Sequence, residues 1–185
     1  MAEYYLISQL PSLDGVAENM PLPITEEAFL KLCESTLSKK VWQQLKMLSL
    51  VPPKNKEKSS SPLINTWNEG ERNLRMALGV ARAEKMKKEF SVGNEIFSSE
   101  VLGVAATAVD SKTPWEAESF LNTYRLNFLD SLRPMDNFSS EFLFYYCLKL
   151  KLLSRIRQFS TELGKSAYKN IYNSILNGDR LEAIQ

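Results

Sequence analysis

Histidine is missing from this chain, and no other feature of its 185 residues removes as much chemistry. Without it there is no Ser-His-Asp or Cys-His catalysis, no imidazole base and almost no zinc-enzyme ligand set. Catalysis would have to rest on carboxylates, lysine or tyrosine alone. Cysteine is scarce: Cys33 and Cys147 stand far apart inside helical patterns. Pairing between them stays open, but small buried hydrophobes in a reducing cytoplasm is the better reading, and they form no metal motif. Neither sign of charge is in excess, with Lys+Arg at 23, Asp+Glu at 22 and a formal net charge of +1. No long-range field gathers anionic lipid or nucleic acid, so no nucleic-acid partner is expected. No apolar run approaches the roughly 20 residues of a bilayer crossing. Met1 to Leu13 lacks a basic region followed by a long apolar core, which predicts no signal peptide. There is no glycine-rich phosphate loop and no carboxylate cluster with calcium-loop spacing. These absences predict a cytoplasmic protein with no catalytic site, cofactor or metal, touching a membrane only indirectly through its partners.

What the chain does contain is material for helices and a core. Apolar residues make up 44%, including 9 Phe, 7 Tyr and 3 Trp. The opening stretch Tyr4 to Leu10 is apolar and ends at Pro11, so it is either strand-like or a short helix. Thr25 can cap a helix carrying Glu26 and Glu27 in its first turn and Phe29, Leu32 and Cys33 at helical spacing. Ser38 can cap a second, running through Trp42, Leu45, Leu48 and Leu50 until Pro52-Pro53 stops it. Ser61-Pro62 opens a third that extends to about Phe90, with Gly70 and Gly79 as weak points. Another begins near Asn94 and carries Ile96 and Phe97 to about Val109.

The strongest local signal is Thr113-Pro114-Trp115-Glu116, a cap, a first-turn proline and a capping-box acid. That helix runs to about Leu132. The next spans Ser139 or Ser140 to Leu163 with Gly164 as its stop, and a last one covers Ser166 to Leu176, ended by Asn177-Gly178. The fold class is therefore all-α, a bundle of about six to eight helices packed as a single domain. Residues 1–53 are read as an N-terminal helical segment, 54–61 as a polar linker, and 62–185 as the main bundle.

Wheels of about 100° per residue pick out charges that sit on apolar faces. Glu118 and Arg125 fall between two apolar stripes of their helix, which predicts partial burial, while Asp130 falls on the solvated side. Lys149 projects from the middle of a wide face built by Phe142, Tyr145, Tyr146, Leu150 and Leu153, with Arg155 on the wet side. A lone buried ammonium costs several kcal/mol, so Lys149 needs an acid, and Glu118 is the expected one. Arg72, Arg75 and Arg82 share a flank where they can clamp carboxylates of a neighbouring helix or of another protein. The preferred reading of all six residues is an ion-pair network that fixes helix register. The alternatives are a partner-facing surface, or a carboxylate- and lysine-dependent enzyme with Glu118 and Lys149 in an open pocket.

Several blocks also resemble an uncharacterised bacterial family encoded beside V-type ATPase subunits. They are Tyr4-Tyr5-Leu6-Ile7-Ser8-Gln9-Leu10-Pro11; Glu71-Arg72-Asn73-Leu74-Arg75 with Ala81-Arg82-Ala83; Glu116-Ala117-Glu118 followed by Leu121, Arg125 and Leu129-Asp130; and Tyr146 with Lys149-Leu150-Lys151-Leu152-Leu153, Arg155 and Gly164. Each block is ordinary amphipathic helix, and their order along most of the chain carries the resemblance. It implies a V-type ATP synthase C-like role: a helical, non-catalytic part joining the central stalk to the membrane rotor ring. The partners implied are the proteins of that stalk and rotor. The C-type connector of those motors is much longer and builds its funnel from repeated bundles, so this chain would supply only part of one.

Overall fold

Hydroxyl caps fix where four of the helices start. The Thr25, Ser61, Ser98 and Thr113 side chains accept from the amides of Ala28, Ile64, Val101 and Glu116 at 3.2, 3.2, 3.3 and 3.2 Å. Each satisfies one of the amides that a helix start leaves without a partner. The computed structural model describes residues 2–16, 20–55, 58–90, 97–158 and 161–182. Its elements are α1 (Ala2–Gln9), α2 (Glu26–Thr36), α3 (Lys39–Met47), α4 (Pro62–Lys85), α5 (Ser99–Asp110), α6 (Pro114–Ser131), α7 (Ser140–Gln158) and α8 (Thr161–Glu182). Among the described residues there is no strand, and the fold is an all-α bundle. No described helix is long and apolar enough to cross a membrane.

Several boundaries differ from the sequence reading, each for a local reason. The N-terminal stretch is helical, because that winding turns Leu6 and Ile7 together into the core. Helix α3 stops at Met47, where Leu48 turns extended and buries its side chain ahead of Pro52. Helix α4 ends at Lys85. Lys87 adopts φ +52°, and the Lys88 and Lys87 amides donate to the carbonyls of Ala83 and Glu84. That is a Schellman stop with lysine where glycine would signal it. Asn94 and Ile96, read as part of the next helix, lie outside the described residues, as do parts of the linker. Gly164 ends nothing: α7 stops at Gln158, and α8 runs through both Gly164 and Gly178. A helix-interior glycine costs about 1 kcal/mol, which a long helix tolerates.

Helix α7 is the axis of the fold, with every residue from Leu143 to Leu150 buried. Helices α1, α2 and α3 pack on it in one cluster that also takes in Leu63, Ile64 and Trp67 of α4 and Leu129 of α6. Helices α1, α2 and α3 are thereby joined to the bundle through one core. Cys33 and Cys147 both sit in this cluster as free thiols, and burial pushes each up to about 12. A second cluster, built from Leu74, Ala77, Leu78, Ala105, Ala108 and Leu121, joins α4, α5 and α6. The end of the linker is tied down, since the Ser61 hydroxyl and the Leu63 amide donate to the Glu141 carboxylate of α7 at 2.8 and 3.1 Å. A carboxylate from one helix therefore anchors the positive end of another.

Candidate functional site

Two charge networks lie along α6. The first is enclosed between α4, α6 and α7. Arg125, only 7% exposed, donates from Nε to Glu71 Oε2 at 3.0 Å and from an Nη to Oε1 at 3.2 Å. This is the planar two-point geometry in which guanidinium and carboxylate match best. Arg75 adds a bond from Nε to Glu71 Oε1 at 2.8 Å from one turn along α4. The other side of Arg125 reaches Asn122 Oδ1 at 3.4 Å and Glu118 Oε1 at 3.7 Å. Glu118 in turn accepts from Arg155 of α7 at 2.5 Å. The chain Arg75–Glu71–Arg125–Glu118–Arg155 thus ties three helices together.

The second network closes the far end of α6. All three protons of the Lys149 ammonium are taken, by Asp14 Oδ1 at 2.8 Å, Asp130 Oδ1 at 2.9 Å and the Tyr145 hydroxyl at 3.1 Å. Tyr145 donates to Asp130 at 2.5 Å, and Arg133 donates to Asp14 Oδ2 at 3.1 Å. The Arg133 guanidinium also lies over the Phe142 and Tyr145 rings, 5.8 and 5.9 Å from their centroids. Burial disfavours the Lys149 ammonium, but its bonds to Asp14, Asp130 and Tyr145 outweigh that and hold it above the usual lysine range. The bond from Lys149 holds the Asp14 carboxyl below its ordinary value, against the opposing effect of burial. Tyr145 is raised, by burial first and by its bond to Asp130 second.

The expected Glu118–Lys149 pair does not form. Helices α6 and α7 run antiparallel, so the start of α6 meets the end of α7. Glu118 therefore faces Arg155, and Lys149 faces Asp130. Asp130, expected to be solvated, is half-exposed and bonded to both Tyr145 and Lys149. Arg155, expected on the wet side, is half-buried against Glu118. The three flank arginines separate as well. Arg75 clamps Glu71, Arg72 donates to the Pro53 carbonyl at 2.9 Å, and Arg82 is exposed at the edge of a groove between α4 and α6.

Glu71, Asn122 and Asp14 were missed. Glu71 carried a signal: it follows Trp67 by four residues and precedes Leu74 and Leu78 by three and seven, the centre of that apolar stripe. Asp14 carried none, because it sits in the irregular stretch after α1.

Lys149 lines a cleft of about 240 Å³ with Asp14, Arg133 and Tyr145, but Glu118 and Arg125 do not. Within the cleft the ammonium is held protonated and the phenol un-ionised, so neither serves as base or nucleophile near neutral pH.

An exposed apolar stripe lies elsewhere, on α8. Tyr168, Ile171, Tyr172 and Ile175 of α8 follow helical i, i+3, i+4, i+7 spacing and are 51% to 67% exposed. The Tyr168 and Tyr172 rings stack one turn apart at 6.0 Å. None of the described α8 side chains belongs to either hydrophobic cluster. No protein-family model, curated protein or solved structure matches the chain.

Proposed function

We propose that this protein is a non-catalytic, partner-binding helical component, similar in role to the C-type connector of V-type ATPases, which joins the central stalk to the membrane rotor ring. One observation carries the partner-binding half of the reading, the exposed Tyr168–Ile171–Tyr172–Ile175 stripe on a helix whose described side chains join neither core. A helix in water gains most of its stability from burying an apolar face, so this face is suited to docking in a groove of another protein. The internal charges support the same reading, since they bind helices to one another. A helix bundle locked in this way is suited to transmit force by shape. The rotary-motor half rests on the ordered sequence blocks, and in that setting the chain is cytoplasmic and meets the membrane only through the complex.

The test is retrieval of partners. The tagged full chain, expressed in its native host, is purified under stringent washing and its companions are identified by mass spectrometry. Stalk or rotor proteins of the ATPase are expected, and they should be lost from the Ile171→Ser, Ile175→Ser double variant. Recovery of none of them counts against the rotary reading. Recovery of unrelated proteins through the same stripe would favour the second reading, a helical adaptor or assembly factor.

A further inference from the structure

The groove edged by Arg82 belongs to neither charge network. It has a volume of about 320 Å³, within the roughly 300–1,000 Å³ of small-molecule sites. Its floor is apolar: Leu78 of α4, Ala108 of α5, and Ala117 and Leu121 of α6. Three of those four are buried members of the second hydrophobic cluster, so the floor is held by the packing beneath it.

The edge has the opposite character. Arg82 and Lys85 of α4 and Lys112 of the α5–α6 turn stand around the opening, and none of the described residues that line it is acidic. Lys85 is engaged, donating to the Val109 carbonyl at 2.6 Å and to Asp110 at 3.3 Å. The side chains of Arg82 and Lys112 are exposed and have no hydrogen-bond or ion-pair partner among the described residues. Thr113 and Pro114, the cap and first residue of α6, also line the groove. The positive end of that helix therefore adds to the field of the two free cations.

A greasy floor beneath two unpaired cations is complementary to a molecule of the inverse layout. We propose that this groove binds a small amphiphilic carboxylate, with its acyl chain on Leu78, Ala108, Ala117 and Leu121 and its head group between Arg82 and Lys112. The guanidinium can take a carboxylate at two points, and Lys112 contributes a point charge.

The probe is decanoate, titrated calorimetrically below its micelle concentration into the full chain, beside the uncharged decanol. One saturable decanoate site is expected, with decanol about tenfold weaker or worse, because removing a charged partner from such a pair costs at least that. The Arg82→Gln, Lys112→Gln double variant should lose decanoate affinity about tenfold or more. Ala117→Phe, which fills the floor, should abolish binding. Ile171→Ser with Ile175→Ser should leave binding unchanged, excluding adsorption to α8. Equal unfolding midpoints establish that each variant is folded. Should Ala117→Phe not fold, the double variant still decides, since both its positions are exposed. The proposal is overturned by no saturable uptake, by equal binding of decanol, by full affinity in the double variant, or by loss of binding in the α8 variant.

Discussion

The two networks along α6 both pair cations with carboxylates, under different exposure. Around Arg125 the Glu71 carboxylate is enclosed, its side chain only 2% exposed, and removal of either partner leaves a buried charge on its lesser contacts alone, Arg75 for Glu71 or Glu118 for Arg125. Around Lys149 the ammonium is buried, but Asp14 and Asp130 keep about half of their surface in water. Breaking an ion pair should therefore cost more at the first site than at the second. What decides is whether the remaining partner can be hydrated.

The largest expected effect follows from that difference. Arg125→Met should cost about 3 kcal/mol or more of unfolding free energy, because Arg75 alone must then neutralise Glu71. Urea unfolding measures it, and a loss below about 1 kcal/mol would make the two networks equivalent.

Two glycines of α4 sharpen the comparison from the packing side. A Cβ at Gly70 would lie 2.5 Å from the Phe128 ring, which is stacked against the buried Trp67 at 6.0 Å and has little room to retreat. Gly70→Ala should destabilise by about 1–3 kcal/mol. At Gly79 the obstacle is the Phe90 ring at 2.8 Å, which is half-exposed and can swing away. Gly79→Ala should be neutral or stabilise by up to about 1 kcal/mol through helix propensity. Thermal midpoints moving in the same direction for both would contradict this account.

Lys149→Met should cost about 1 kcal/mol, discounted because both carboxylates stay hydrated. Its pH dependence distinguishes it from a packing defect. The Asp14 carboxyl is held below its ordinary 3.8, so its contribution is present above about pH 4 and is lost as pH falls through its native value. Lys149 is raised above its ordinary 10.5, so its contribution is complete below that pH and is lost as pH rises through its native value. Parent and variant should differ most between those limits and converge outside them. A gap that stays constant from pH 2 to 12 would assign the loss to packing. The smallest effect concerns Cys33 and Cys147, whose thiols are buried and raised to about 12. Neither should react with a thiol reagent at pH 8 until the protein is unfolded, so rapid native labelling of either would contradict their burial.

Much of the fold was legible because helices announce themselves locally. The caps at Thr25, Ser61 and Thr113, and Pro114 behind the last of them, placed α2, α4 and α6 at their starts. Helix ends were harder to read, because Lys87 performs a stop that glycine normally signals, and Gly164 and Gly178 stop nothing. Burial of Arg125 and Lys149 was readable from the apolar faces around them. Their partners were not, since a wheel shows which face is buried but not where two helices cross. A shift of a few turns along antiparallel α6 and α7 exchanged the expected Glu118–Lys149 pair for Glu118–Arg155 and Asp130–Lys149. Asp14 reaches Lys149 across 135 positions from an irregular segment, a meeting no local pattern encodes.

The most direct measurement is a double-mutant cycle on the enclosed bridge, Glu71→Gln and Arg125→Met singly and together, read by urea unfolding. If the bridge locks α4 to α6, the double variant should lose less than the sum of the single losses by about 2 kcal/mol or more. Single losses that simply add would contradict the claim that this ion pair holds the helices together.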